Sequence, residues 1–177
     1  MKLGKLNFVP VEQNWDLVAD QTKKVIGEKQ FTGVIVTEID PSLADTAAFC
    51  ERHDIGLDIS VNCVIVEAKR ADRTWYAACL VKATERADMN GIVRKHLDAR
   101  RLSFAPTDTA VSLSGMEFGG ITPIGLPADW KILVDKSVVS LEYVVIGSGI
   151  RKSKLLVRGK LLGSLPNSEV MVLTKTE

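Results

Sequence analysis

Apolar positions along this chain change their spacing many times, and each change marks an element. Trp15, Val18, Val25 and Ile26 form a helical stripe, with Asn14 placed as a cap and Gly27 as a stop, which predicts a helix over about 15–26. Residues 33–38, GVIVTE, are β-branched and predict a strand. Asp40-Pro41 has the form of a helix start, an N-cap followed by proline at the first helical position, for a helix running to about 52 and stopping before Gly56. Two β-rich apolar runs, 60–68 and 74–83, flank the polar segment KRADR and predict a hairpin. Asp88 caps a helix with Met89, Ile92, Val93 and Leu97 on one face, and a short helix follows over 107–113. After a glycine-rich loop come strands near 131–135, 142–147 and 154–158, a helical turn at 160–165 and a last strand near 169–173. Irregular alternation with one tight hairpin predicts an α+β (mixed α/β) class: a single domain with a curved, mixed, mostly antiparallel sheet surrounded by helices.

Composition narrows this picture without changing it. The 177 residues suit one domain, and 46% apolar with 25% charged residues is enough for an ordinary core. The net charge of +1 gives no global field, so any nucleic-acid contact must come from local clusters of charge. Three cysteines, Cys50, Cys63 and Cys79, each in an apolar run, read as reduced buried thiols. No signal-peptide pattern and no apolar stretch near the ~20 residues of a membrane span are found, so a cytoplasmic location is expected. We divide the chain into an N-terminal helical extension over 1–29, packed on a domain over 30–177.

Several kinds of chemistry lack their motifs. There is no GxxxxGK[ST], GxGxxG, HExxH, CxxC or GxSxG. Gly147-Ser148-Gly149 is a GxG, but IRKSK follows it, which reads as a turn rather than a dinucleotide site. His53 and His96 are too few and too far apart for a metal site, and no metal or cofactor is expected. Cys63 has no histidine near it in sequence and reads as an inert thiol.

The stretch that says most about function is 114–125, SGMEFGGITPIG. Helix and strand interiors disfavour that density of Gly and Pro, whereas a loop that brings its backbone close to something else favours it. Met116, Phe118, Ile121 and Ile124 place the loop in the body of the domain, and its N–H groups suit a small polar ligand group. The loop resembles the signature of the YbaK/EbsC-type aminoacyl-tRNA editing family, which includes the prolyl-tRNA editing domains. Gly115, Gly119, Gly120, Thr122, Pro123 and Gly125 fit its pattern, with Ser114 where Thr is commoner. Ile132 to Asp135 fits the family's strand ending in Asp, and Val144 to Leu165 fits its strand, small-residue turn, strand and short helix. The resemblance covers about residues 30 to 173.

Membership implies hydrolysis of the ester joining a wrong amino acid to the tRNA 3′ end, a role in translation fidelity. The reaction would be metal-independent and assisted by the substrate's own hydroxyls and a water. The partner would be the aminoacyl-adenosine of a mischarged tRNA. The resemblance assigns Asn62 and Gly120 to catalysis, and Gly119, Ile121, Thr122, Pro123, Asp135, Gly147, Ser148 and Gly149 to substrate binding. One departure matters. Active members usually carry a Lys at the start of the first hairpin strand, where this chain has Asn62, with Cys63 at the following Thr position. A neutral carboxamide forms a weaker bond than an ammonium to a developing oxyanion, by roughly 1–2 kcal/mol. Asn62 is thus a polar contact in a working site of altered specificity, part of a site that binds without hydrolysing, or a satisfier of backbone groups at a strand end. Lys82 is a candidate auxiliary cation if the hairpin register sets Asn62 opposite Leu80; a slip of one residue removes it.

Two basic clusters, Arg94, Lys95, Arg100 and Arg101, then Arg151, Lys152, Lys154, Arg158 and Lys160, are solvated faces or phosphate contacts. The leading expectation is an aminoacyl-tRNA deacylase. Its rivals are a catalytically inactive module that binds an amino acid, a tRNA end or a protein, and a hydrolase of other small esters.

Overall fold

The computed structural model describes residues 1–175. A short hairpin, β1 (Lys2–Leu3) and β2 (Leu6–Asn7), opens the chain, followed by β3 (Val9–Pro10), α1 (Asp20–Glu28), β4 (Ile35–Glu38) and α2 (Thr46–His53). The long hairpin is β5 (Val61–Arg70) and β6 (Arg73–Lys82). Next come α3 (Arg94–His96), β7 (Arg101–Phe104), α4 (Thr107–Ser114), β8 (Lys131–Asp135) and α5 (Lys136–Val139). β9 (Val144–Gly147), β10 (Ser153–Val157), α6 (Gly159–Leu162) and β11 (Ser168–Met171) complete the order.

The expected mixed, mostly antiparallel β structure is present, divided between two larger sheets. One is antiparallel with order β3-β4-β10-β9; the other has order β11-β8-β6-β5-β7, with β8 parallel to both its neighbours. A parallel bridge between Ser60 and Val145 joins them where β5 begins. Val36, Leu80, Val134, Ile146 and Leu155 belong to the principal core. β8 buries Ile132, Leu133 and Val134 in succession, as a strand covered on both faces must. Residues 1–29 share this structure: Val9 pairs with Val36, Ile26 is buried, and the Thr22 hydroxyl donates to the Ile124 carbonyl over 2.9 Å. No helix among the described residues is long and apolar enough to cross a membrane.

Several elements differ from the sequence pattern for physical reasons. The helix expected from residue 15 is a single 3₁₀ turn, Trp15–Leu17, before α1. Val18 and Ala19 between them are extended and buried, and the Ala19 N–H donates to the Ser148 carbonyl, so a tertiary contact breaks the helix. Asp40 caps one turn only, and Asp45 caps the chain again as α2, accepting from the N–H groups of Ala47 and Ala48. Asp88 does cap a helical segment, but its first turn is wide, with Val93 N–H reaching the Asp88 carbonyl. β7 has no apolar run to announce it; it is an edge strand beside β5.

Candidate functional site

The first strand of the long hairpin leaves the sheet junction with Val61, Asn62, Cys63, Val64 and Ile65 along one wall of a cavity of about 370 Å³. Pockets of this size hold small ligands. The start of α2 closes a second side with Ala44, Asp45 and Thr46. The glycine loop supplies Phe118, Gly119 and Ile121, β9 ends in it at Gly147, and Lys154 reaches it from β10. Phe104 and Thr107 stand on the α4 side.

Asn62 is fixed by one bond. The Thr46 hydroxyl donates to its Oδ1 over 2.8 Å, which leaves the amide Nδ2 without a partner among the described residues. The glycine loop is held by its own backbone. A Cβ on Gly147 would lie 2.4 Å from the Gly120 carbonyl oxygen and 2.6 Å from that of Ile121, and one on Gly120 would lie 2.5 Å from the Ile150 carbonyl. These glycines therefore let two stretches of main chain touch. Gly149 N–H donates to the Gly120 oxygen over 2.7 Å, and Glu117 N–H to the Gly149 oxygen over 2.9 Å. Arg151 ties the outside of the loop, donating to the carbonyls of Phe118 and Pro41.

This docking divides the residues singled out in the sequence. Gly119, Ile121, Gly147 and Asn62 border the cavity. The N–H groups of Gly119 and Ile121 have no partner among the described residues, whereas that of Gly120 donates to the Glu117 carbonyl and that of Thr122 to the Met116 sulfur. Gly120 thus has no N–H to offer a ligand and works as packing. Thr122 and Pro123 are buried outside the cavity wall. Ser148 bonds to Ser153, whose hydroxyl donates to the Leu17 carbonyl, and Gly149 packs on Ala19. Asp135 accepts from the N–H groups of Ser137 and Leu173, capping α5 and fastening the C-terminal segment. These residues build the site's frame.

Lys82 is a correction. The hairpin pairs Val61 with Lys82 and Asn62 with Val81, one residue away from the register that would bring Lys82 beside Asn62. Its ammonium instead pairs with Glu85 at 2.9 Å.

Sequence reasoning placed Lys154 in a basic surface cluster and missed its position. Only 6% of it is exposed, and its Nζ donates to the Ala44 carbonyl over 2.7 Å and lies 5.4 Å from the centre of the Phe49 ring. Among the described residues it is the sole Lys or Arg along the cavity. Burial pulls its pKa from 10.5 down to about 8; the Cys50 thiol and Asp45 oppose this, and Arg151 adds to it. Cys63, which also lines the cavity, is held protonated, its pKa raised by burial and by neighbouring Cys79, which removes it as a nucleophile.

The chain matches the aminoacyl-tRNA editing domain over residues 40–163. It belongs to the aminoacyl-tRNA editing domain family. Among solved structures, this editing domain is similar to that of a proposed trans-editing enzyme for prolyl-tRNA synthetase. The two are 16% identical, with a TM-score of 0.74 and coverage of 90% of this chain and 99% of the other. It is also similar to a hypothetical protein at 17% identity and a TM-score of 0.77, covering 88% of this chain and all of that one. At such identities the likeness is one of fold. No curated protein matches the sequence of this editing domain.

Proposed function

We propose that this protein is an aminoacyl-tRNA deacylase, and that the cavity between the glycine loop and β5 receives the aminoacyl end of a mischarged tRNA. Family membership supports the substrate class. The observation that carries the site is the meeting of unpartnered donors, the N–H groups of Gly119 and Ile121 and the amide of Asn62, around one small cavity. Ester hydrolysis needs such groups, because a positioned water attacks the carbonyl carbon and negative charge gathers on oxygen. The tRNA's terminal ribose hydroxyl assists by holding the water.

Phe104 and Phe118 are 68% and 61% exposed, and both stand at this cavity. Exposed aromatic faces there suit stacking on the terminal adenine, and Arg151 lies 5.8 Å from the Phe118 ring, close enough to meet an adjoining phosphate. Phe104→Ala and Phe118→Ala are each expected to weaken binding of a non-hydrolysable aminoacyl-adenosine by about 5- to 150-fold, the equivalent of roughly 1–3 kcal/mol per stacked base. Calorimetry measures this, and unchanged affinity in both variants would remove the stacking arrangement.

Deacylation of a panel of mischarged tRNAs tests the function. We expect at least one to be hydrolysed well above its spontaneous rate and Asn62→Ala to slow it by about tenfold. The neutral Asn62 favours a second reading, a site that binds without turnover. Its mark is thermal stabilisation by aminoacyl-adenosine with no ester release from any tRNA in the panel.

A further inference from the structure

Lys154 poses a chemical question that the frame of the site does not answer. An ammonium this deeply buried loses most of its hydration, and proteins ordinarily compensate such a charge with a carboxylate. Among the described residues no Asp or Glu forms an ion pair with it within 4.0 Å, and its one hydrogen bond is to the Ala44 carbonyl. An ammonium has three donors, so two remain. Its strand is rigid: β10 pairs on one side with β4, where Lys154 stands opposite Thr37, and on the other with β9, where it stands opposite Gly147. The side chain is therefore held at the cavity wall across from Asn62's strand, charged and short of acceptors.

We infer that Lys154 is a catalytic residue, the cation that bonds the ester's carbonyl oxygen as it becomes negative. This rests on the deacylase reading above. In the step it serves, water oxygen bonds to the carbonyl carbon, and the π pair moves to the carbonyl oxygen, where Lys154 and a loop N–H bond it. As the pair returns, the bond from carbon to the ribose oxygen breaks. That oxygen takes the proton released by the water, giving a free amino acid and a tRNA with its hydroxyl restored. Lys154 keeps its proton throughout. The groups facing it, Asp45 and Cys50 from the α2 side and Arg151 from the turn before β10, set how firmly it does so.

Lys154→Met is expected to lower kcat about 100-fold, the loss typical of a single donor to an oxyanion, while KM changes less than about threefold. Adding Asn62→Lys to Lys154→Met returns a cation to the cavity from β5 and should recover at least tenfold of the lost rate; a merely structural lysine could not be replaced from another strand. In wild type, the enzyme-catalysed rate should fall as pH rises through about 8. The pH profile needs no variant to fold. An active wild type whose Lys154→Met variant keeps its kcat, or whose rate is indifferent to pH between 7 and 9, overturns the assignment alone. A wild type inactive on every tRNA overturns the deacylase reading and the assignment with it.

Discussion

Gly147→Ala is expected to cost about 3 kcal/mol of stability, although it adds one methyl group. The added Cβ would meet the carbonyl oxygens of Gly120 and Ile121 at 2.4 and 2.6 Å. Both are main-chain atoms, so no side chain can swing away to relieve the contact. The glycine loop must move off the end of β9, which strains the bond between Gly149 N–H and the Gly120 oxygen and shifts the free N–H groups of Gly119 and Ile121. Affinity for an aminoacyl-adenosine should therefore fall together with stability. Gly27→Ala is the matched control. Gly27 lies inside α1 with nothing within 4 Å of an added Cβ, and alanine there should add about 0.5–1 kcal/mol through helix propensity. Urea unfolding of the two variants measures both. A Gly147→Ala protein as stable as wild type would show that the loop does not depend on this backbone contact.

The stability difference between wild type and Lys154→Met should depend strongly on pH. In the folded protein burial holds the Lys154 pKa at about 8, against 10.5 in a solvated chain. Below pH 8 both states carry the proton, and the folded state bears the whole penalty of a buried charge. Between the two values the unfolded chain binds the proton and the folded chain has lost it, so stability rises with pH. Cys63 and Cys79 act in the opposite sense, because their thiols are held protonated by burial in the fold and ionise more readily when unfolded. Comparing the two proteins cancels the thiols. Wild type should gain about 2–3 kcal/mol relative to Lys154→Met between pH 7 and pH 10. Urea midpoints at the two pH values give this directly, and a constant gap would mean that the ammonium is solvated.

What the sequence made legible was whatever lies in local pattern. The β5–β6 hairpin and β8 could be placed because their apolar runs are long and β-branched or fully buried. The glycine loop could be located because Gly and Pro are dense there for a backbone reason. The register of the hairpin was harder. A two-residue turn with Ala71 at positive φ sets Arg70 opposite Arg73, and that single choice carries Lys82 away from Asn62. Lys154 was hidden by its neighbours in sequence: Arg151, Lys152 and Arg158 suggest a solvated basic face, while burial of Lys154 comes from α2 and β4, far away in the chain, together with the adjacent β9. A lysine within the otherwise apolar strand SKLLV was the available signal. Gly120, Ser148 and Asp135 were legible as special positions, but their work for the frame depends on contacts with Glu117, Ser153 and Leu173.

The central claim is one of place: the amino-acid end of the ligand sits between the glycine loop and β5. Amide NMR shifts on titration with an amide-linked, non-hydrolysable aminoacyl-adenosine test it most directly. Saturable shifts should concentrate at the N–H groups of Gly119 and Ile121 and at the side-chain amide of Asn62. Shifts that leave these three unmoved and gather instead along the groove of Arg94, Arg100 and Arg101 would contradict it.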